Sequence, residues 1–178
     1  MNEHVLILGN GLNRLNGQVS WDNLIQNLNT RFAHGRVNVN NKPFPLLYEE
    51  IVSCARENQY PEKNVLKAIA ETAMEISYGN YHKAIVGNFP RILTTNYDYA
   101  LEKAISPPSE HFDTKTRETR YSLKRKTEIG DSEIWHIHGE AEKPNSICLG
   151  YDHYSGYLQN IRAYLVPERK PRFSVYRG

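Results

Sequence analysis

The stretch Arg91-Ile92-Leu93-Thr94-Thr95-Asn96-Tyr97-Asp98 constrains the fold more than any other part of the chain. A short apolar run of β type, Ile92 to Thr95, stops at the polar group Asn96-Tyr97-Asp98. Helix-forming residues follow at once in Ala100, Leu101, Glu102, Lys103 and Ala104. The pattern predicts a strand, a polar turn and a helix over Tyr99 to Ile105. In an open α/β sheet such a turn lies at the carboxyl edge of the strands, where ligands collect. Asn96 and Asp98 are therefore candidates for chemistry in a cleft. The plainer alternative is that Asn96 shapes the turn and Asp98 caps the helix.

A second turn of the same kind opens the chain. Val5-Leu6-Ile7-Leu8 is a continuous apolar run and predicts a strand buried on both faces. Gly9-Asn10-Gly11 follows directly, and glycines there let a phosphate approach backbone amides with no Cβ in the way. Arg14 stands where the third glycine of the dinucleotide fingerprint would fall, so a nucleotide site here is of a variant type. A third turn comes at Glu133-Ile134-Trp135-His136-Ile137-His138-Gly139. Alternation predicts a strand over Ile134 to Ile137 with His136 and His138 on one face, ended by Gly139. Two histidines at this spacing suit a metal, but no third ligand is evident nearby, and no metal is expected.

Between the first two turns the periodicity is helical. Ser20 caps a helix carrying Trp21, Leu24, Ile25, Leu28 and Phe32, with Trp21 either in the core or walling a ligand pocket. Residues 34–45 are polar and read as a loop. Leu47, Ile51 and Ala55 share one face of a second helix, in which Cys54 reads as a small buried hydrophobe. Leu66, Ala70, Ala73 and Met74 share a face of a third, started by Pro61 and Glu62. A short helix, Tyr81 to Asn88, leads into Ile92. This insertion is longer than a crossover needs and predicts a helical layer over the cleft. After Pro107-Pro108, residues 109–132 alternate acids and bases and read as a solvated loop or hairpin. Ser146-Ile147-Cys148-Leu149 predicts one more short strand. A last helix follows, with Tyr154, Leu158, Ile161 and Leu165 on one stripe and Pro167 stopping it, then a basic tail over 167–178.

At 178 residues the chain suits one domain with a real core. A net charge of +2 from nearly balanced acids and bases gives no reason to expect a nucleic-acid or membrane partner. Two cysteines, Cys54 and Cys148, are too few for a disulfide framework or a Cys-x-x-Cys metal site, and a reducing, cytoplasmic setting is expected. The N-terminus has no basic region or long apolar stretch, so no signal peptide is expected, and no run approaches the ~20 residues that span a bilayer.

Gly9-Asn10-Gly11, Thr94-Thr95-Asn96-Tyr97-Asp98 and His138-Gly139, in that order, resemble the sirtuin motifs Gly-Ala-Gly, Thr-Gln-Asn-Ile-Asp and His-Gly. Ser20-Trp21-Asp22-Asn23-Leu24 and Gly150-Tyr151-Asp152-His153-Tyr154 look more closely like the sirtuin-like domains of bacterial antiphage defence. The resemblance implies an α/β fold, a Rossmann-like three-layer parallel sheet with a helical insertion after the first strand. It spans residues 1–166 and corresponds to roughly the first two-thirds of the usual domain, so the sheet is expected to be incomplete at its C-terminal end.

The resemblance also implies NAD as the substrate. Gly9, Asn10, Gly11, Asn13, Thr95 and Asp98 would bind it, and Asn96 and His138 would catalyse its cleavage to nicotinamide and ADP-ribose. The chemistry suits these residues: an uncharged amide orients ribose and water, and an imidazole titrating near neutrality accepts the proton. Asp98 would grip the carboxamide or stabilise developing positive charge. The four-cysteine zinc ribbon of deacylating sirtuins cannot be built from two cysteines, so neither zinc nor deacylation is expected. The implied role is NAD depletion in antiphage defence. The alternative is a non-catalytic nucleotide-binding or interaction module, whose incomplete sheet would pair with a second copy or a partner chain. A nucleic-acid module rests only on the basic tail and scattered Arg and Lys.

Overall fold

The computed structural model describes residues 4–15, 17, 20–106 and 126–156. Four strands form one sheet in the order β1-β2-β4-β3: β1 (Val5–Leu8), β2 (Arg91–Thr94), β3 (Lys126–Ile129) and β4 (Ser132–His136). β1, β2 and β4 are parallel, and β3 returns antiparallel to β4 as a hairpin. The hairpin alternative for the charged segment thus holds at its described end, while residues 107–125 lie outside the described residues. In the parallel register Leu8 faces Thr94 and Thr94 faces His136. All three predicted turns therefore leave the sheet at one carboxyl edge. This is a mixed α/β, Rossmann-like arrangement.

The helices are α1 (Gly11–Leu15), α2 (Trp21–Ala33), α3 (Phe44–Glu57), α4 (Glu62–Met74), α5 (Asn80–Asn88) and α6 (Ala100–Ile105). Ser20 caps α2 as expected, its Oγ accepting from the Asn23 N–H at 3.2 Å. The loop after α2 is closed by Asn29, whose amide exchanges two hydrogen bonds with the Val37 backbone at 2.9 and 3.1 Å. Two apolar clusters result. Ile92 and Ile134 pack with Leu101, Ile85, Val86, Leu12 and Leu8 between one sheet face and α1, α5 and α6. The larger cluster joins α2, α3 and α4, built on Ile25, Leu28, Leu47, Ile51, Leu66 and Ile69, and takes in Tyr97, Tyr99 and Ile147. The insertion is therefore the expected helical layer, seated over the carboxyl edge.

Four expectations need correction. β1 is not buried on both faces: it is an edge strand among the described residues, and Val5 and Ile7 are 50% and 68% exposed. A parallel strand reads as a continuous apolar run whether or not a layer covers its second face, so sequence does not separate the two cases. Ser146–Leu149 is not a strand. Pro144–Ser146 is a 3₁₀ turn and 147–149 runs on without a ladder partner, its Cys148 N–H bonded to the His138 carbonyl at 2.8 Å. β4 ends at His136, so His138 lies in the following turn rather than beside His136 on a strand face. Met74 is 42% exposed and Cys54 half-buried, because α4 and α3 turn them to the margin of the packed stripe. Residues 151–156 are helical. The remainder of the predicted last helix (Leu158, Ile161, Leu165, Pro167) and the 167–178 tail lie outside the described residues.

Gly139 ends β4's turn at φ +102°, and a Cβ there would stand 2.3 Å from the Ser146 carbonyl oxygen and 2.7 Å from the Ile147 Cα. Both obstacles are backbone and cannot swing aside. Gly139→Ala should cost on the order of 2–4 kcal/mol. Gly87→Ala, in α5 with open space around it, should stabilise by about 0.5–1 kcal/mol. Urea midpoints of the two variants measure the contrast.

Candidate functional site

A cleft lies where the β1 and β2 turns meet α2 and α4. Asn10, Asn96 and Asp98 supply its polar lining with Ser20, while Trp21, Leu24, Ile69, Ala73 and Ile76 form apolar walls. Trp21 thus does both jobs weighed for it: it is half-buried, edge-on to Tyr97 at 5.6 Å, and it walls the cleft.

Asn96 is held from every side but one. Its N–H donates to Thr94 Oγ1 at 3.1 Å, and its carbonyl accepts from His136 Nδ1 at 2.9 Å. The residue is 6% exposed, yet its side-chain Oδ1 is buried with no hydrogen-bond partner among the described residues. An unpaired buried carbonyl costs on the order of 1–3 kcal/mol, so a site that keeps one is shaped for something that donates to it.

The Gly9–Gly11 turn is tied to the β2 turn by side chains. Asn13, fully buried, donates from Nδ2 to Asp98 Oδ2 at 2.8 Å and to Asn10 Oδ1 at 2.9 Å. Asp98 Oδ1 accepts from the Ala100 N–H at 2.9 Å. Asp98 is not the N-cap of α6, which is Tyr99; it stands one residue earlier and bonds the first N–H of the helix, while its second oxygen joins the two turns. Gly9 and Thr95 face each other across β1 and β2, with the Thr95 N–H bonded to the Leu8 carbonyl at 3.0 Å. Neither Gly9 nor Gly11 has positive φ, so their value lies in access to the backbone and not in a left-handed turn.

His138 stands at the end of the neighbouring strand but is not among the residues lining this cleft. Its ring is edge-on to Tyr154 at 5.3 Å, and burial holds it below the ordinary 6.5, so it is a neutral imidazole at pH 7. The two turns are nonetheless bound together. The Ala141 N–H donates to the Tyr97 carbonyl at 2.8 Å, and the Tyr97 hydroxyl donates to the Cys148 carbonyl at 2.8 Å. Asn96 and His138 thus share an edge, with different immediate surroundings.

Sequence reading did not find three of the supporting residues. His82, 1% exposed, accepts the Gly79 N–H on Nδ1 at 3.1 Å and meets Asn13 Oδ1 through Nε2 at 2.9 Å. It occupies the third position of α5 and reaches back to the cap, the task a Glu or Gln performs in a capping box; that spacing was the available signal. Glu102, wholly buried in α6, pairs with His136 Nε2 at 2.7 Å. His153 accepts the Leu149 and Gly150 N–H groups on Nδ1 at 3.2 and 3.4 Å and bonds Glu62 of α4 at 2.8 Å, docking the Gly150 turn on the helical layer. No group of three or more His, Cys, Asp and Glu positioned for a metal occurs among the described residues, and no described helix is long and apolar enough to cross a membrane.

Residues 90–172 match the family model of the SIR2-like domain. Over those residues the chain is similar to that family. The match covers the Asn96 turn, His138 and the Gly150 turn; the Gly9–Gly11 turn precedes it. No curated protein matches the chain. Of the cleft lining, the match takes in Asn96, Tyr97 and Asp98.

Burial alone would push His136 down, but the Glu102 carboxylate and the Asn96 carbonyl more than reverse this and raise it to about 9. It is an imidazolium at neutral pH, donating from both nitrogens. Because the folded value is raised, its stabilisation is complete below 6.5 and is lost as pH rises through about 9. Urea unfolding between pH 6 and 10 should show that decline, and Glu102→Leu should cost on the order of 3–5 kcal/mol at pH 7 by leaving a buried cation unpaired.

Proposed function

We propose that this chain is an NAD glycohydrolase that cleaves NAD to nicotinamide and ADP-ribose. The observation that carries the reading is the buried, unpartnered Asn96 Oδ1 at a cleft shared with the Gly9–Gly11 turn. Asn96 Oδ1 would accept a hydrogen bond from a ribose hydroxyl or from the attacking water. The water oxygen bonds to the anomeric carbon of the ribose as the bond to the pyridinium nitrogen breaks. The bonding pair leaves on nicotinamide as a neutral molecule, and His138, neutral at pH 7, takes the water's proton. Gly9 and Gly11 would leave backbone amides open to the pyrophosphate, Thr95 would stand beside them with its own N–H spent on the Leu8 carbonyl, and Asn10 and Asn13 would hold that turn in register with Asp98. The Asp98 carboxylate, already accepting two hydrogen bonds, would act by its charge beside the cleavage site more than as a gripping group. Zinc has no part in this scheme. The domain would run over 1–166, act in the cytoplasm, and deplete NAD in antiphage defence.

A second reading, a non-catalytic nucleotide-binding or interaction module, draws on two observations. His138 does not line the Asn96 cleft, and the outer edge of β1 with Val5 and Ile7 is uncovered among the described residues. That edge would suit a second copy or a partner chain.

Nicotinamide release from NAD by the purified chain tests the first reading. His138→Ala should lower the rate ~10²–10⁴-fold and Asn96→Ala about 10²-fold or more, each with the parent's circular dichroism. Parent rates in both variants would overturn these roles. Calorimetric binding of NAD or ADP-ribose without turnover would instead support the module.

A further inference from the structure

We infer that His82 is a positioning residue that, together with Asp98, holds the polarity of the glycine turn, fixing which atom Asn10 turns toward the cleft. The inference rests on the proposed NAD site and concerns how it is kept in order. The relay is directional because both its ends are backbone N–H groups, which can only donate. At one end the Gly79 N–H donates to His82 Nδ1, so that nitrogen carries no proton and Nε2 must carry one. The Nε2 proton is donated to Asn13, which must present Oδ1 and therefore turn Nδ2 the other way. Nδ2 then donates to Asp98 Oδ2 and Asn10 Oδ1. At the other end the Ala100 N–H donates to Asp98 Oδ1. Every orientation between is forced.

Asn10 is the link that reaches the ligand. Its Oδ1 is occupied by Asn13, so Nδ2 is the atom left for the cleft it lines, and Nδ2 has no partner among the described residues. The cleft then offers a donor from Asn10 in a lining that also includes Asn96. With His82 removed, Asn13 Oδ1 loses its buried partner while the Asp98 carboxylate still calls for Nδ2. Asn13 must then shift to satisfy its oxygen, and its bond to Asn10 loosens. Burial keeps the imidazole below its ordinary 6.5, the largest effect on it, against the opposing pull of Asp98; the neutral form the relay requires is thus the resident one.

Three proteins test this: the parent, His82→Gln, whose amide can accept from Gly79 and donate to Asn13, and His82→Leu, which can do neither. Long-range proton–nitrogen spectra of the histidines read the relay without ligand. A protonated Nε2 and bare Nδ1 at His82 are expected, and the opposite tautomer would overturn the inference. NAD is then titrated calorimetrically at a temperature where all three are folded. His82→Leu should bind at least about tenfold more weakly and His82→Gln within about threefold of the parent. Equal affinity in parent and His82→Leu would mean that His82 only supports α5, and would sink the positioning role. If the parent itself fails to bind NAD, the NAD reading fails, while the tautomer still decides whether the relay exists.

Discussion

The hydrogen bond from Asn13 to Asp98 joins two turns 85 residues apart, and the site depends on it. Parallel pairing of β1 with β2 brings the turns to the same edge, but pairing sets only their height and spacing. The side chains fix them in register, with both partners nearly out of solvent and one of them charged. A neutral donor to a buried carboxylate contributes on the order of 1.5–3 kcal/mol, and the loss of either partner leaves the other uncompensated. The glycine turn and the Asn96 turn therefore behave as one unit with two strand ends behind it.

A second buried pair holds the same turn from beneath. His136 donates to the Asn96 carbonyl and to Glu102, so the charge on α6 fixes the backbone of the turn through an imidazolium. Above, the helical layer is locked to the β4 side by Tyr97, His153 and the 3₁₀ turn packed on α4. These contacts use both backbone groups of Asn96 and leave its buried side-chain oxygen without a partner among the described residues. Rigid surroundings with an unsatisfied acceptor suit a binding or catalytic site, and Glu102 Oε2 beneath the turn is buried without a partner as well.

Local pattern carried much of the architecture. The strand–turn–helix at Asn96, the capped α2, the apolar stripes of α3 and α4, and the order of the three turns are all set by spacing and residue type. Missing from that view were contacts made by residues whose local role looks ordinary. Glu102 reads as a helix former, His82 as one position of the short helix before β2, and Ser146–Leu149 as a strand. Each is redirected by a neighbour distant in sequence: Glu102 by His136, His82 by Asn13, and Cys148 by the His138 carbonyl. Periodicity records whether a side chain faces inward, and it holds nothing about which polar group waits there.

By itself the sequence determined the element types, the placing of polar residues at strand ends, and the likeness to sirtuins, because strand and helix periods and turn chemistry are local properties. Only the tertiary structure decided that Asp98 binds its own helix and the glycine turn at once, that His136 is structural while His138 stands at the edge, and that one face of β1 is uncovered. Those outcomes turn on burial and on which donors meet which acceptors. Both are fixed when distant segments pack, not before.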